Sequence, residues 1–171
     1  MTQSVTPAQF AMTLTTPDLP YPLHPMVGRV IAQILVSDTR RRFGLSQAPD
    51  GSTWAPLKYR RKRGGSKPLL DTGMLRNSIT GYGTDRGAVV GSNLHYAAIH
   101  QFGGPIIRSV RWRPNSNRSS RAARRRRAMV RRVVGHIPAR PFLGISAEAA
   151  RQIDRVLVEY MSGRWGESLR V

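Results

Sequence analysis

The interval between Asp85 and Glu148 contains no acidic side chain, and this one-signed segment constrains the fold more than any other feature of the sequence. Within it, residues 116–132 read SNRSSRAARRRRAMVRR and carry eight arginines. Arginine is almost never fully buried unless it is paired, so these side chains must face solvent or an external counter-charge. Nearby carboxylates cannot supply that charge. We therefore expect a binding partner to supply it.

The whole chain has the same imbalance of charge. It has 28 Lys and Arg against 9 Asp and Glu in 171 residues, which gives a formal net charge of +19. Such a protein concentrates on anions, which include nucleic acid, anionic lipid and acidic protein faces. A hydrophobic fraction of 40% is enough for a core, and the length fits one domain. The charge therefore belongs to a folded domain rather than to a disordered chain.

Several classes of chemistry find no support in the sequence. Cysteine is absent, which excludes disulfides and thiolate metal sites. His95 and His100 are five residues apart and would lie on different faces of a helix, and the scattered carboxylates offer no pair for two-metal chemistry. No signal peptide is visible, and no apolar run approaches the ~18 residues that span a bilayer. We expect a non-enzymatic protein of the cytoplasm, without cofactor, metal or membrane contact.

Hydrophobic periodicity predicts two longer helices. Val27, Ile31 and Ile34 recur at helical spacing, which predicts a helix over about 25–43 that ends with Gly44 in the left-handed conformation. Near the other end of the chain, Ser146 is a good N-cap for a second helix. The apolar face of that helix is expected to consist of Ala149, Ile153, Val156, Leu157 and Tyr160.

Smaller elements are predicted between the two helices. Asp71 is a good N-cap for a short helix over 72–78, with Leu70 and Leu75 as its hydrophobic staple. The stretch 78–92 resembles a β-hairpin that turns at Thr-Asp-Arg-Gly. These patterns are local, so each one predicts its element without reference to the rest of the chain.

Strands are predicted on both sides of the arginine stretch. A compact helix is expected to end at Gly103. Strands follow within 105–114 and from 133 onward, and 116–132 is expected as a loop between them. Because strands and helices are mixed without regular βαβ alternation, the predicted class is α+β. The expected architecture is a small antiparallel sheet packed against two longer helices, with a basic loop insertion between strands.

The predicted organisation is one domain with a segment at each end. Residues 1–24 contain four prolines and are expected to form an extended N-terminal arm that is ordered only if something holds it. Residues 25–161 are expected to form a single α+β domain that includes the insertion at 116–132. Residues 162–171 are expected to be a flexible C-terminal tail.

Four sequence segments point to a family. They are FGLSQAPDGSTWAPLK (43–58), LLDTGMLRNSIT (69–80), VGSNLHYAAIHQFGG (90–104) and IPARPFLGIS (137–146). In order and spacing they resemble the phage virion morphogenesis family, which includes Mu-like and P2-like tail completion proteins. The resemblance spans roughly residues 25–160. Each segment alone is unspecific, and their order carries the prediction.

The resemblance implies a structural part of the neck or tail end of a tailed bacteriophage. Related tail-terminator and head–tail joining proteins form rings, commonly hexameric, that cap the tail tube and dock to the head connector. The implied partners are copies of the same chain, connector and neck proteins and tail tube proteins, with possible contact to genomic DNA. Such a protein is assembled in the bacterial host cytoplasm and is located in the virion. The resemblance leaves open whether it is a terminator or a joining piece.

The resembling segments also imply structural roles for particular residues. These residues are Asp71, Gly73, Leu75, Tyr96, His100, Phe102, Gly103, Pro141 and Phe142. Tyr96 and Phe102 are expected to pack a helix on the sheet, and Gly103 to end it. In PARPF each proline biases the preceding residue towards extended backbone, so Arg140 could present its guanidinium to a carboxylate while Phe142 is buried.

Three interpretations of the arginines remain open. The candidate partner or DNA contacts are Arg118, Arg121, Arg124, Arg125, Arg126, Arg127, Arg131, Arg132 and Arg140. A solvated loop would leave eight like charges repelling one another. DNA contact suits the bidentate guanidinium, although a neck that gripped DNA would hinder its ejection. Docking on acidic protein surfaces, with ordering on assembly, is favoured.

The alternative function is that of a non-enzymatic basic DNA-binding protein. It would bind DNA tightly and in a salt-sensitive manner as an isolated chain. Trp112 is the aromatic residue near the arginine run, so a platform on which bases could stack is not visible. The assembly interpretation is therefore the main prediction, and DNA binding is its rival.

Overall fold

A computed structural model of the protein describes residues 10–15, 22–57, 67–111 and 129–163. The elements in chain order are β1 (Phe10–Thr15), α1 (Pro25–Leu45), α2 (Met74–Asn77), β2 (Ile79–Thr84), β3 (Gly87–Ser92), α3 (Ala97–Phe102), β4 (Gly104–Arg111), β5 (Met129–Ile137) and α4 (Ala147–Met161). All strand pairs are antiparallel. The predicted α+β class is confirmed.

The strands form two sheets rather than one. The first has the order β1-β3-β2, and the second is a two-stranded ribbon of β4 and β5. The predicted hairpin is confirmed: β2 and β3 are joined by Asp85 and Arg86, with Thr84 opposite Gly87. On the other side of β3, β1 pairs from Phe10 opposite Ser92 to Thr15 opposite Gly87. This strand lies within the predicted arm, and β3 is what holds it.

Helix α1 is the element around which the core is built. Its buried side carries Val27, Ile31 and Leu35 and covers the β2–β3 hairpin, from which Ile79 and Val90 point inward. Helix α4 packs against another side of α1. The predicted cap and apolar face of α4 are confirmed: Ser146 Oγ accepts a hydrogen bond from the Ala149 N–H (3.1 Å), and the five predicted face residues all join the core.

The last turn of α1 differs from the prediction. The helix continues to Leu45, and Ser46 rather than Gly44 adopts the left-handed conformation (φ 56°, ψ 42°). Residues near this end are fixed from outside the helix, because Phe43 is fully buried and Lys67 Nζ donates to the Gly44 carbonyl (2.7 Å). Tertiary contacts therefore extend the helix past its local stop signal.

The predicted cap of the short helix is wrong. Helix α2 begins at Met74 with Gly73 as N-cap (φ 75°), so Asp71 lies too early for that role. The Met74 N–H instead reaches Thr72 Oγ1 at 3.4 Å. Leu70 and Leu75 do not occupy staple positions relative to this start, although both contribute to the core.

The boundary of the basic insertion also needs correction. Strand β5 begins at Met129, so the last four residues of the predicted loop 116–132 are strand. The cause is pairing with β4, which places Arg131 opposite Ser109 and Arg132 opposite Arg108. The division of the chain into arm, domain and tail remains a prediction.

Buried polar bonds fasten the C-terminal end of α1. Arg42 is buried, with Nε donating to Asp38 Oδ2 (3.0 Å) and Nη2 to the Gly144 carbonyl (2.9 Å). Burial lowers the pKa of Arg42, and the Asp38 carboxylate opposes this effect. The pair therefore ties α1 to the turn before α4. No helix in the described ranges is long and apolar enough to cross a membrane.

Two glycines allow α1 to lie directly on the hairpin. A Cβ on Gly28 would lie 2.7 Å from the Thr84 carbonyl oxygen, and a Cβ on Gly83 would collide with the backbone of Gly28 and Arg29. Neither position has room for a side chain. The distance between α1 and β2 is therefore set by backbone contact.

We expect Gly83→Ala to lower the free energy of unfolding by about 1–3 kcal/mol or more, because the helix must lift from the hairpin. Gly44→Ala is the matched control, since a Cβ at Gly44 meets nothing within 4 Å and alanine is the better helix former by ~0.5–1 kcal/mol. Urea denaturation of both variants measures the difference. Equal midpoints would contradict the close packing of α1 on β2.

Candidate functional site

The four family-like segments meet at one place in the structure. They line a cleft of about 320 Å³, to which 43–58 contributes Leu57 and 137–146 contributes Arg140. The segment 90–104 contributes Tyr96 and His100, and 69–80 contributes the remaining residues. Those residues are Leu69, Asp71, Thr72, Gly73, Met74 and Leu75. Segments that are far apart in sequence thus build one feature of the subunit.

Arg140 ties this region together from inside. Its side chain is 6% exposed, and it donates hydrogen bonds from Nε to the Ala55 carbonyl (2.8 Å) and from Nη2 to the Pro56 carbonyl (3.1 Å). Its backbone N–H donates to the His100 carbonyl (2.8 Å). This internal role differs from the predicted contact with a partner, because so buried a side chain offers a partner little surface.

Gln101 has an equivalent role that the sequence analysis missed. Its Oε1 accepts hydrogen bonds from the N–H groups of Phe142 (2.9 Å) and Leu143 (3.0 Å), and its Nε2 donates to the Leu143 carbonyl (2.9 Å). The proline-rich turn has no strand or helix to satisfy these groups. The sequence therefore indicated that some side chain must bond to the backbone of this turn. It did not indicate that Gln101 would be that side chain.

Aromatic residues pack the C-terminal end of α1 against the same proline-rich turn. The ring of Phe43 contacts Trp54 (centroids 5.4 Å apart) and Phe142 (5.5 Å apart). Trp54 Nε1 also donates to the Pro141 carbonyl at 2.7 Å. The predicted burial of Phe142 is confirmed, since its ring is inaccessible to solvent.

The residues around α3 fit the prediction only in part. Gly103 ends the helix as expected (φ 71°), and a Cβ there would lie 2.7 Å from the Ala139 nitrogen. Tyr96 packs partly against the core and stacks edge-on with His95 and His100. Phe102 was expected to pack on the sheet, but it is 69% exposed. The reason is that α3 is bonded to the 137–144 turn through Gln101 rather than laid across a sheet.

In the described ranges, no group of three or more His, Cys, Asp or Glu side chains has the geometry to hold a metal ion. His95 and His100 both flank the Tyr96 ring, with centroids 5.3 and 5.8 Å from it.

The β4–β5 ribbon carries the described part of the arginine stretch. Arg132 lies directly opposite Arg108, and both side chains are exposed. The strand also contains Arg131, and the other candidate contacts in the stretch 116–132 lie outside the described residues. Those are Arg118, Arg121, Arg124, Arg125, Arg126 and Arg127. Like charges directly opposite each other destabilise a strand pair, so this arrangement favours an anion from elsewhere.

The same ribbon exposes large apolar side chains. Ile106, Ile107, Val133 and Val134 are all exposed, and Val133 reaches 58%. Val134 lies at a register shift, where the partners of Ile106 and Ile107 are Gly135 and Val133. Among the described elements, neither strand packs extensively on anything but the other. Within the described ranges, the ribbon is therefore an apolar and basic surface that no other element covers extensively.

Its family identifies the chain as a bacteriophage assembly protein. It belongs to the phage virion morphogenesis family, whose sequence profile matches residues 19–162. The family predicted from the four segments is thereby confirmed, and with it a virion-associated role.

Two curated relatives carry names from Mu-like phages. The chain is 33% identical over 132 residues to "Mu-like prophage FluMu G protein 2" of Haemophilus influenzae, covering 77% of this chain and 74% of the relative. It is 32% identical over 136 residues to "Putative capsid assembly protein G" of Escherichia phage Mu, covering 74% and 72%. No solved structure matches the chain.

We expect Gln101→Ala to lower the free energy of unfolding by roughly 1–3 kcal/mol, because it removes the acceptor of the Phe142 and Leu143 N–H groups. Gln152→Ala on α4 is the control, since Gln152 is exposed and its side-chain bond in the described ranges is to Glu148, so its loss should change stability by less than ~0.5 kcal/mol. Thermal unfolding followed by circular dichroism measures both. Similar losses in the two variants would show that Gln101 does not hold the turn.

Proposed function

We propose that this protein is a structural subunit of the neck or tail end of a tailed bacteriophage. In this proposal its copies form a closed ring that completes the tail and joins it to the head connector. Related rings commonly contain six copies. The protein acts by assembly and not by catalysis. Family membership supports the assembly role, and the exposed β4–β5 ribbon is the observation that carries the proposed mechanism.

The ribbon needs a partner for a physical reason. A two-stranded antiparallel ribbon is marginally stable in water unless another strand or helix packs on it. Here the two strands expose Ile107 and Val133 on one face and place Arg108 against Arg132 on the other. Binding to a neighbouring protein would cover the first face and provide carboxylates for the second.

The apolar content of the ribbon favours protein over DNA as that partner. Phosphates would neutralise the arginines, but they would not cover Ile106, Ile107, Val133 and Val134. Protein interfaces bury apolar side chains together with charged ones at their edges, and the ribbon offers both kinds of side chain. The proposed partners are copies of the chain, connector and neck proteins and tail tube proteins.

DNA binding remains the second candidate because of the arginine run. It is favoured by the acid-free interval from 86 to 147, which has no internal counter-charge. The two candidates differ in how they depend on salt and on partners. A DNA-binding protein would act as an isolated chain, whereas the proposed subunit acts only within a particle.

We expect replacement of Arg118, Arg121 and Arg124–Arg127 by serine to leave the subunit folded and to block head–tail joining. Electron microscopy of the phage lysate should then show separate filled heads and tails. Replacement of the same six residues by lysine is the matched control, because it keeps the charge and should preserve most of the joining. Normal particles from the serine variant would show that these arginines are dispensable.

The alternative DNA-binding function makes a different quantitative prediction for the same variants. If the six arginines bind phosphates, log K for DNA should fall with log salt concentration, and the serine variant should reduce that slope by about 5. Filter binding at several salt concentrations measures it. Such a change of slope, together with normal particles, would favour the DNA-binding function over the proposed one.

A further inference from the structure

The outward face of α4 complements the ribbon in charge and in hydrophobicity. Asp154, Val158 and Met161 follow one another at i, i+4 and i+7, so they form one stripe along the helix. All three are exposed, with Val158 at 59% and Met161 at 67%. Another face of α4 packs against the core, so among the described residues the stripe is open to solvent.

Helix α4 is the one helix with net negative charge in the part of the chain that the structure describes. It carries Glu148, Asp154 and Glu159 against Arg151 and Arg155, three negative and two positive charges, which sum to −1. Arg151 is already paired with Glu148 (Nη2 to Oε2, 2.7 Å). Asp154 and Glu159 are therefore opposed on this helix by Arg155 alone, in a chain of net charge +19.

The matching surface is the arginine face of the ribbon, which we define as Ile106, Arg108 and Arg132. Ile106 and Arg108 are two residues apart on β4 and share a face, and Arg132 lies opposite Arg108. Gly135 lies opposite Ile106, whose Cδ1 would lie 3.5 Å from a Cβ at Gly135. The face therefore presents one apolar group and two positive charges in a fixed order.

The spacings of the two surfaces agree. Ile106 and Arg108 lie about 6.6 Å apart along a strand, and Asp154 and Val158 lie about 6 Å apart along a helix. A helix laid on the ribbon can thus place its carboxylate between the two guanidiniums while Val158 meets Ile106. The eight residues of β4 span roughly 26 Å and the fifteen of α4 roughly 22 Å, so the contact can run the length of both.

We propose that the arginine face of the ribbon in one subunit binds the Asp154–Val158–Met161 stripe of α4 in a second copy. The two surfaces belong to different parts of the subunit and do not pack extensively on each other within it. Their contact between copies is therefore head-to-tail, and such a contact closes into a ring or continues as a filament. This inference rests on the proposed function only in requiring that copies of the chain assemble.

Two variants, each disabled on one surface, test the contact directly. Arg108→Glu/Arg132→Glu reverses the ribbon, and Asp154→Arg reverses the helix stripe. We expect each alone to weaken self-association by roughly 100-fold or more and to elute as a monomer. When mixed, they should associate again in equal proportions, because the intact ribbon of one variant meets the intact helix of the other and the two reversed surfaces also match in charge. Size-exclusion chromatography with light scattering measures all four species, including the wild type.

Two further variants make the result specific. The combination of all three reversals in one chain should restore self-association, since the charges match again with opposite signs. Arg29→Glu/Arg76→Glu changes the net charge by the same amount as the ribbon variant at exposed sites on α1 and α2, and it should assemble like the wild type. Circular dichroism establishes that every variant is folded.

The outcomes separate this contact from the proposed function. Self-association of the wild type that neither reversal weakens would overturn the contact and leave the proposed function standing. A wild type that stays monomeric, together with no association in the mixture of the two variants, would also overturn the contact. Loss of DNA retention in the ribbon variant, without loss of self-association, would make the ribbon a nucleic-acid surface instead. The proposed function fails separately if phage with an early stop codon in this chain produce normal particles.

Discussion

The backbone contact between α1 and the β2–β3 hairpin is the constraint on which the rest of the subunit depends. Gly28 and Gly83 allow the helix to lie on the strands without intervening side chains, and this sets the distance between α1 and β2. Its C-terminal end then brings Phe43 against Trp54 and Phe142. The core, the family-like segments and α4 are all arranged around α1, whose distance from β2 is set by this backbone contact.

From that arrangement follows a division between the inside and the outside of the subunit. The four family-like segments are joined by internal hydrogen bonds. Arg140 and Gln101 bond to backbone groups of loops that are not paired in a sheet. The β4–β5 ribbon and the outer stripe of α4 lie apart from this network. A packed interior with uncovered basic, apolar and acidic surfaces is what an assembly subunit requires, because its final contacts belong to its neighbours.

The sequence predicted those features that depend on local patterns. The hairpin, Ser146 as a cap and Gly103 as a helix end all follow from a few neighbouring residues. Features set by distant residues were missed or misplaced. These are strand β1, the left-handed Ser46, the cap of α2, the exposed Phe102, the start of β5 and the internal roles of Gln101 and Arg140. Strand β1 forms because it pairs with β3, and the two strands are too far apart in the sequence for a local pattern to include both.

The central claim is that the exposed basic and apolar surfaces of the subunit bind neighbouring proteins and not DNA. Native mass spectrometry of the purified wild-type chain, free of nucleic acid and followed by electron microscopy of the same sample, tests it most directly. The account predicts one closed ring with a fixed number of copies. A chain that stays monomeric at every concentration and forms complexes only when DNA is added would contradict it.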